Sequence, residues 1–221
     1  MMAMSPTPSR RRVRALVIVA GAIAVLGIVV WRVLAPPASP PEYVDARPDE
    51  AADGYASVTH SVFIGAAPEQ VWEWSNDPDL RLEDLVQYEN FPAVVSTEPL
   101  VGEWQPGERV GDRRRVEFAD GNYLAEEVLI DSPERFRYMI WGFTSPQRFA
   151  VQHGVAEFGY AAENGGTRVT WEYTFLPTAE ILRPAVESFL TSTMSPMMRA
   201  TLAAMRDGVE GAVGSTKQAS A

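Results

Sequence analysis

The stretch TAEILRPAVESFLTSTMSPMMRATLAAMRDGVE, Thr178 to Glu210, decides the fold. Its apolar residues Leu182, Val186, Phe189, Leu190, Met194, Met197, Met198, Leu202, Met205 and Val209 recur mostly at steps of three and four. That spacing lines one face of an α-helix. The charged residues Glu187, Arg199, Arg206, Asp207 and Glu210 mostly fall between them. Pro184 and Pro196 each remove a backbone donor, so the spacing predicts a broken helix. Ser195-Pro196 reads as an N-cap with proline at the first helical position, opening a last helix over 197–210. The buried face of that helix is rich in Met, a side chain that fills irregular space. Such a helix needs a curved apolar surface to lie in, and the middle of the chain supplies one.

At 221 residues the chain fits one domain with extensions. A hydrophobic fraction of 46% with 6 Trp is enough to build a core. The formal net charge of -10 argues against nucleic acid, which needs a basic footprint. There is no Cys, which excludes disulfides, thiolate chemistry and cysteine–zinc sites. With His60 and His153 alone, a multi-histidine metal site is not expected, and no cofactor is implied.

The N-terminus has a different character. Arg10, Arg11, Arg12 and Arg14 precede an apolar run from Ala15 through Trp31, which Arg32, Val33 and Leu34 complete. This reaches the roughly 17–25 residues that cross a bilayer, with Trp31 and Arg32 as interfacial anchors. The rival is a cleaved signal peptide, but Ala35 and Ala38 sit among prolines, a poor cleavage context. The arginines keep the N-terminus cytoplasmic and place the rest outside, as a single-pass signal anchor. The expected division is therefore a basic tail and transmembrane helix over 1–34 and a Pro-rich linker over 35–53. A folded domain over 54–210 and a flexible tail over 211–221 follow. The linker, with five prolines at Pro36, Pro37, Pro40, Pro41 and Pro48, should hold the domain off the membrane.

From Gly54 the pattern turns to period two. Val58, His60, Val62 and Ile64 share one strand face. Pro68 opens a helix carrying Val71, Trp72 and Trp74, and Asn76-Asp77-Pro78 stops it. A second short helix is expected over 79–86. Strands and turns run from Phe91 to Pro177, and Pro99 marks the first of these strands as an edge.

Asp120-Gly121 reads as a two-residue hairpin turn. That register sets Arg114 opposite Glu127 and Arg115 opposite Glu126, two complementary pairs. Alternation puts Arg114 and Glu127 on the face of Val116, Phe118 and Tyr123. A β-bulge would undo the assignment.

Several features follow one another along the chain: a strand, then Ala67-Pro68-Glu69-Gln70-Val71-Trp72, then two short helices. A meander closed by Gly166-Thr167-Arg168-Val169-Thr170-Trp171 and a long amphipathic C-terminal helix complete the order. From about Tyr55 to Glu210 the chain resembles the polyketide cyclase/dehydrase branch of the START-like (SRPBCC) superfamily. The resemblance implies an α+β helix-grip fold, in which a curved antiparallel sheet wraps a long C-terminal helix and leaves a hydrophobic cavity. It carries no shared catalytic motif to transfer, because members bind lipids, transfer them, or act as cyclases and hydrolases.

His60, on an apolar strand face, can be read as a general acid or base. A hydrogen-bonded core histidine is the preferred reading, and the same holds for His153. Arg114 and Glu127 are candidates for a polar anchor in a greasy pocket, since a buried ion pair does little for stability. A solvated surface pair is the other reading, and the residues leave both open. Tyr123, Tyr138, Trp171 and Tyr173 are candidate cavity wall, as are Met194 and Met198 from the last helix. The leading functional expectation is membrane-tethered binding of a hydrophobic small molecule or lipid. A cyclase or dehydratase acting on an aromatic or polyketide-like substrate is the alternative, and a scaffold with a packed core is a third.

Overall fold

The C-terminal helical run carries Pro196 without breaking, on a π-helical turn that precedes it. The computed structural model describes Gly27, residues 32–77, 80–86, 88–89 and 91–219, with side chains through Ser215. Residues up to Ala35 and the chain from Pro36 onward form separate units. In the first, Gly27 and residues 32–34 are helical; the rest of the apolar run read as a transmembrane helix lies outside the described residues. Among the described residues no helix is long and apolar enough to cross a membrane.

The second unit is built on seven antiparallel strands in the order β1-β7-β6-β5-β4-β3-β2. These are β1 (Ala56–Ile64), β2 (Val94–Val101), β3 (Arg113–Phe118), β4 (Tyr123–Asp131), β5 (Arg135–Trp141), β6 (Val151–Glu163) and β7 (Gly166–Pro177). β2, which holds Pro99, is an edge strand, where a missing donor costs no ladder bond. Helices α1 (Pro68–Ser75) and α2 (Leu82–Leu85) follow β1. α2 is shorter than the expected 79–86.

After β7, α3 (Arg183–Phe189) runs through a π-helical turn, Leu190–Met194, into α4 (Ser195–Ala219). Ser195 is helical, at φ -58 and ψ -46, so it is not the expected N-cap. Its N–H reaches back five residues to the Leu190 carbonyl. Widening the turn makes room for the Pro196 ring and its missing N–H, the usual setting of a π-bulge. The helix also continues past Glu210 to Ala219, through the residues expected to form a tail.

The inner face of the sheet carries Val116, Leu124, Tyr138, Ile140, Tyr160, Trp171, Tyr173 and Phe175. These join Val186, Leu190, Met194, Met197, Met198, Leu202, Met205 and Val209 of the helix in one cluster. α1 closes one end, where Gly208 is required: a Cβ there would sit 2.2 Å from the Trp74 ring.

The outer face has a second cluster, Ala125, Met139, Trp141 and Val155, covered by Tyr43 and Tyr55. This corrects the reading of residues 35–53 as a linker. From Pro36 the segment lies along the outside of β3, β4 and β5. Arg115 donates to the Pro41 carbonyl at 2.9 Å, and Arg113 to those of Tyr43 and Asp45 at 2.5 and 2.8 Å. The Tyr43 hydroxyl donates to the Gly142 carbonyl at 2.8 Å. Arg47 pairs with Glu127 at 3.1 Å and Glu50 with Arg137 at 2.5 Å. Apolar side chains with specific polar partners make this segment a strap on the sheet.

Candidate functional site: the cavity between sheet and helix

The hairpin between β3 and β4 sets what the cavity contains. The Phe118 N–H bonds the Asn122 carbonyl and the Gly121 N–H bonds the Phe118 carbonyl, both at 2.9 Å. Ala119, Asp120 and Gly121 therefore form a three-residue loop, with Gly121 at φ +77. This is a turn closed by a glycine bulge, which non-glycine residues tolerate poorly. The register is one residue away from the two-residue expectation: Arg113 faces Glu127, Arg114 faces Glu126, and Val116 faces Leu124. A one-residue shift turns every β4 side chain to the opposite face.

Arg114 remains on the inner face, and its partner there is Glu126. Glu127 and Tyr123 are corrected to the outer face. Glu127 accepts from Arg113 and Arg47 beneath the strap, and Tyr123 donates to Glu117 at 3.2 Å.

Between the inner face and the helices lies a cavity of about 910 Å³. Its wall is mostly apolar and aromatic, including Leu124, Phe136, Ile140, Phe158, Phe175 and Phe189. The expected residues Arg114, Tyr138, Trp171, Tyr173 and Met194 are brought together in it. Met198 is not in the wall; it is fully buried between helix and sheet, and its neighbour Met197 faces the cavity with Met205.

One polar cluster stands inside. Arg114 Nη2 donates to Glu126 Oε1 at 2.7 Å, and the guanidinium lies 4.2 Å from the Trp104 ring centre. The side chains of Arg114 and Glu126 are 16% and 6% exposed. Tyr138 and Tyr173 line the wall beside them, with ring centres 6.3 Å apart. Burial pushes the Tyr138 hydroxyl well up, with Tyr173 and the Glu126 charge adding to it. Burial also raises Tyr173, again with help from Glu126. Both phenols stay protonated; the Tyr138 hydroxyl is hydrogen-bonded to that of Tyr173, which leaves the pair one proton to donate.

A second buried pair braces the cavity near α1. Asp131 Oδ1 and Oδ2 accept from Arg109 at 2.7 and 2.9 Å, and Oδ2 also accepts the Gly107 and Arg109 N–H groups. Burial alone would raise the Asp131 carboxyl, but these bonds outweigh it and hold it below its usual range. Arg109 also donates to Asn76 Oδ1 at 2.7 Å and stacks 4.6 Å from the Phe136 ring centre.

Neither histidine is in the cavity wall. His60 is corrected to the seam between β1 and the helix, with Nε2 2.7 Å from the Ser195 hydroxyl. His153, 1% exposed, lies on the outer side, with Nε2 2.7 Å from the Tyr55 hydroxyl. Sequence reasoning missed Glu126 as Arg114's partner, and did not single out Arg109 and Asp131. Their signal is tertiary: Arg109 and Asp131 sit in a loop and at a strand end, 22 residues apart. Among the described residues no group of three or more acidic or histidine side chains could hold a metal ion.

Residues 55–210 match the family described as polyketide cyclase / dehydrase and lipid transport. The chain belongs to that family. Solved structures agree on the fold. The chain is similar to norcoclaurine synthase from Thalictrum flavum, at 16% identity and a TM-score of 0.54, covering 75% of this chain and 98% of that one. It is also similar to the di-domain ARO/CYC StfQ from the steffimycin biosynthetic pathway, at 8% identity and a TM-score of 0.55. That likeness covers 72% of this chain and 52% of the other. A protein from Thermus thermophilus gives 20% identity and a TM-score of 0.51 over 71% of this chain and 99% of that one. No curated protein sequence matches the chain. This chain's seven-stranded antiparallel sheet and long C-terminal helix form the helix-grip fold expected from the sequence.

Proposed function

We propose that this protein binds a hydrophobic small molecule or lipid in the cavity between the sheet and the C-terminal helix. The observation that carries the reading is the cavity of about 910 Å³ with an apolar wall and one internal polar cluster. Ligand sites fall at roughly 300–1,000 Å³ with this kind of lining, whereas packed cores hold few voids larger than a water molecule. A packed-core scaffold is therefore the weaker reading. The family description, which includes lipid transport, points the same way.

The N-terminal run supports a membrane tether, with the N-terminus cytoplasmic and the domain extracytoplasmic. Within the domain, Pro36 lies against the hairpin tip at Gly121. The same end of the sheet carries the cavity residues Asp120, Asn122 and Gln147 and the exposed Phe149 and Ile181. Protease treatment of spheroplasts tests the orientation: digestion of the domain is expected, and protection beside an exposed control overturns it.

A cyclase or dehydratase is the second reading. One observation favours it: the Glu126 carboxylate shares the wall with two protonated phenols, so a base stands beside hydroxyls that can hold a substrate oxygen by hydrogen bonds. Native mass spectrometry of the gently purified full chain separates the readings. A co-purifying apolar species that leaves unchanged supports binding, and one that is converted supports the enzyme. No uptake of any apolar probe overturns both.

A further inference from the structure

The charges around the cavity limit what its ligand can be. Two buried guanidinium groups line it, and each already has a carboxylate. Arg109 and Asp131 are 8% and 0% exposed, and Arg114 and Glu126 are nearly as buried. Each pair is electrically neutral. Arg81, also in the wall, is paired with Asp84, and both are largely solvated. The remaining charged lining residues, Asp77, Glu83 and Asp120, are acidic. A carboxylate entering this space would lose its water and find no uncompensated cation. Burying such a charge is far more costly than burying a hydroxyl or carbonyl that gains a hydrogen bond.

The polar cluster offers both kinds of partner. Arg114 and the Tyr138–Tyr173 hydroxyl pair supply N–H and O–H donors, and Glu126 supplies acceptor oxygens. That combination suits a group that donates and accepts without carrying charge.

We propose that the cavity selects an uncharged amphiphile, with an apolar body and a hydroxyl, carbonyl or amide end set against Arg114, Glu126, Tyr138 and Tyr173, and rejects the corresponding carboxylate. This rests on the binding reading above and names the chemical class of its ligand. The Arg114–Glu126 pair is then a neutralising device: Glu126 removes the attraction that a lone arginine would exert on fatty acids.

The test uses the full chain in a non-ionic detergent, mixed with equal amounts of hexadecanol and hexadecanoate in mildly alkaline buffer. Native mass spectrometry reads the two adducts by their mass difference. The alcohol adduct should exceed the acid adduct by about tenfold or more. Glu126→Gln keeps the shape but leaves Arg114 uncompensated, so the ratio should swing towards hexadecanoate by about tenfold or more. Comparing variants in the same detergent cancels each probe's partition into micelles. The double variant Arg114→Gln with Glu126→Gln restores neutrality and should restore the preference for the alcohol, which also covers the case of an unstable single variant. Equal loading of the parent by both probes, or a ratio unmoved by Glu126→Gln, overturns the proposal. Failure of every variant to load either probe instead overturns the binding reading itself, and the proposal falls with it.

Discussion

His60 Nε2 and the Ser195 hydroxyl stand 2.7 Å apart, tying β1 to the turn where the π-helix becomes α4. Arg199 donates to the same hydroxyl oxygen at 2.9 Å. Arg199 takes one lone pair of that oxygen, and the serine proton can pass to His60 Nε2 in the neutral tautomer that carries its proton on Nδ1. Burial lowers the His60 pKa, and the nearby Arg199 charge lowers it further.

This arrangement sets a pH dependence. A histidine depressed in the folded state binds its proton more readily when unfolded, so stability rises with pH across the gap between the two values. His153 acts in the same direction: burial lowers it, Arg47 assists and Glu50 opposes. Stability should be fully present above about pH 6.5, the ordinary histidine value, and should fall as acid is added below it. Denaturant midpoints measured from about pH 7.5 down to about pH 5 check this, above the carboxylate range. His60→Gln should flatten the slope. A midpoint constant across the window in the parent would show that neither histidine is held neutral.

Arg109 and Asp131 should behave as a structural unit. Arg109→Met strands a carboxylate that is 0% exposed, and should cost roughly 3–5 kcal/mol by equilibrium unfolding. Asp131 is depressed in the folded state, so its contribution is present above its unfolded value and is lost as pH falls through the folded one. Acid unfolding of Asp131→Asn should therefore lose part of the parent's steepness. If Arg109→Met melts with the parent, the pair does not brace the fold.

How far the sequence discloses this protein depends on which interactions set each part. The helix face was legible because Val186, Leu190, Met194, Met197, Met205 and Val209 all bury one side, and periodicity reports burial directly. The β3–β4 register was not. Three consecutive arginines, Arg113 to Arg115, face two consecutive glutamates, so charge complementarity is satisfied in either of two registers. The loop decides, through the φ of +77 at Gly121, and an Asp-Gly pair fits loops of two or three residues alike. The strap was hidden for another reason. Its prolines give an open-linker composition, while what holds it are carbonyls accepting from Arg113 and Arg115, partners some 70 residues away.

The strap yields a prediction of its own. Beginning the protein at Gly54 instead of Pro36 would uncover Met139 and Trp141, now 0% and 7% exposed. Re-exposing on the order of 120 Å² of apolar surface at about 25 cal/mol per Å² costs about 3 kcal/mol. Urea unfolding of the two forms should show that difference, and Tyr43→Ala in the longer form should show part of it. Equal midpoints would return residues 35–53 to the role of a tether.

Met197 and Met198 are neighbours in sequence with opposite surroundings. Met197 faces the cavity, whereas Met198, 0% exposed, is enclosed by the sheet and helix core. A tryptophan at 197 can extend into empty space. It should leave stability within about 1 kcal/mol of the parent while cutting the uptake of an apolar probe about tenfold or more. A tryptophan at 198 has no space to enter and must displace core side chains, at a cost of about 1–3 kcal/mol. Thermal melts and native mass spectra of Met197→Trp and Met198→Trp, measured side by side, separate the two effects. If both destabilise equally and neither changes uptake, the helix does not form the cavity wall, and the ligand must be held by the strands alone.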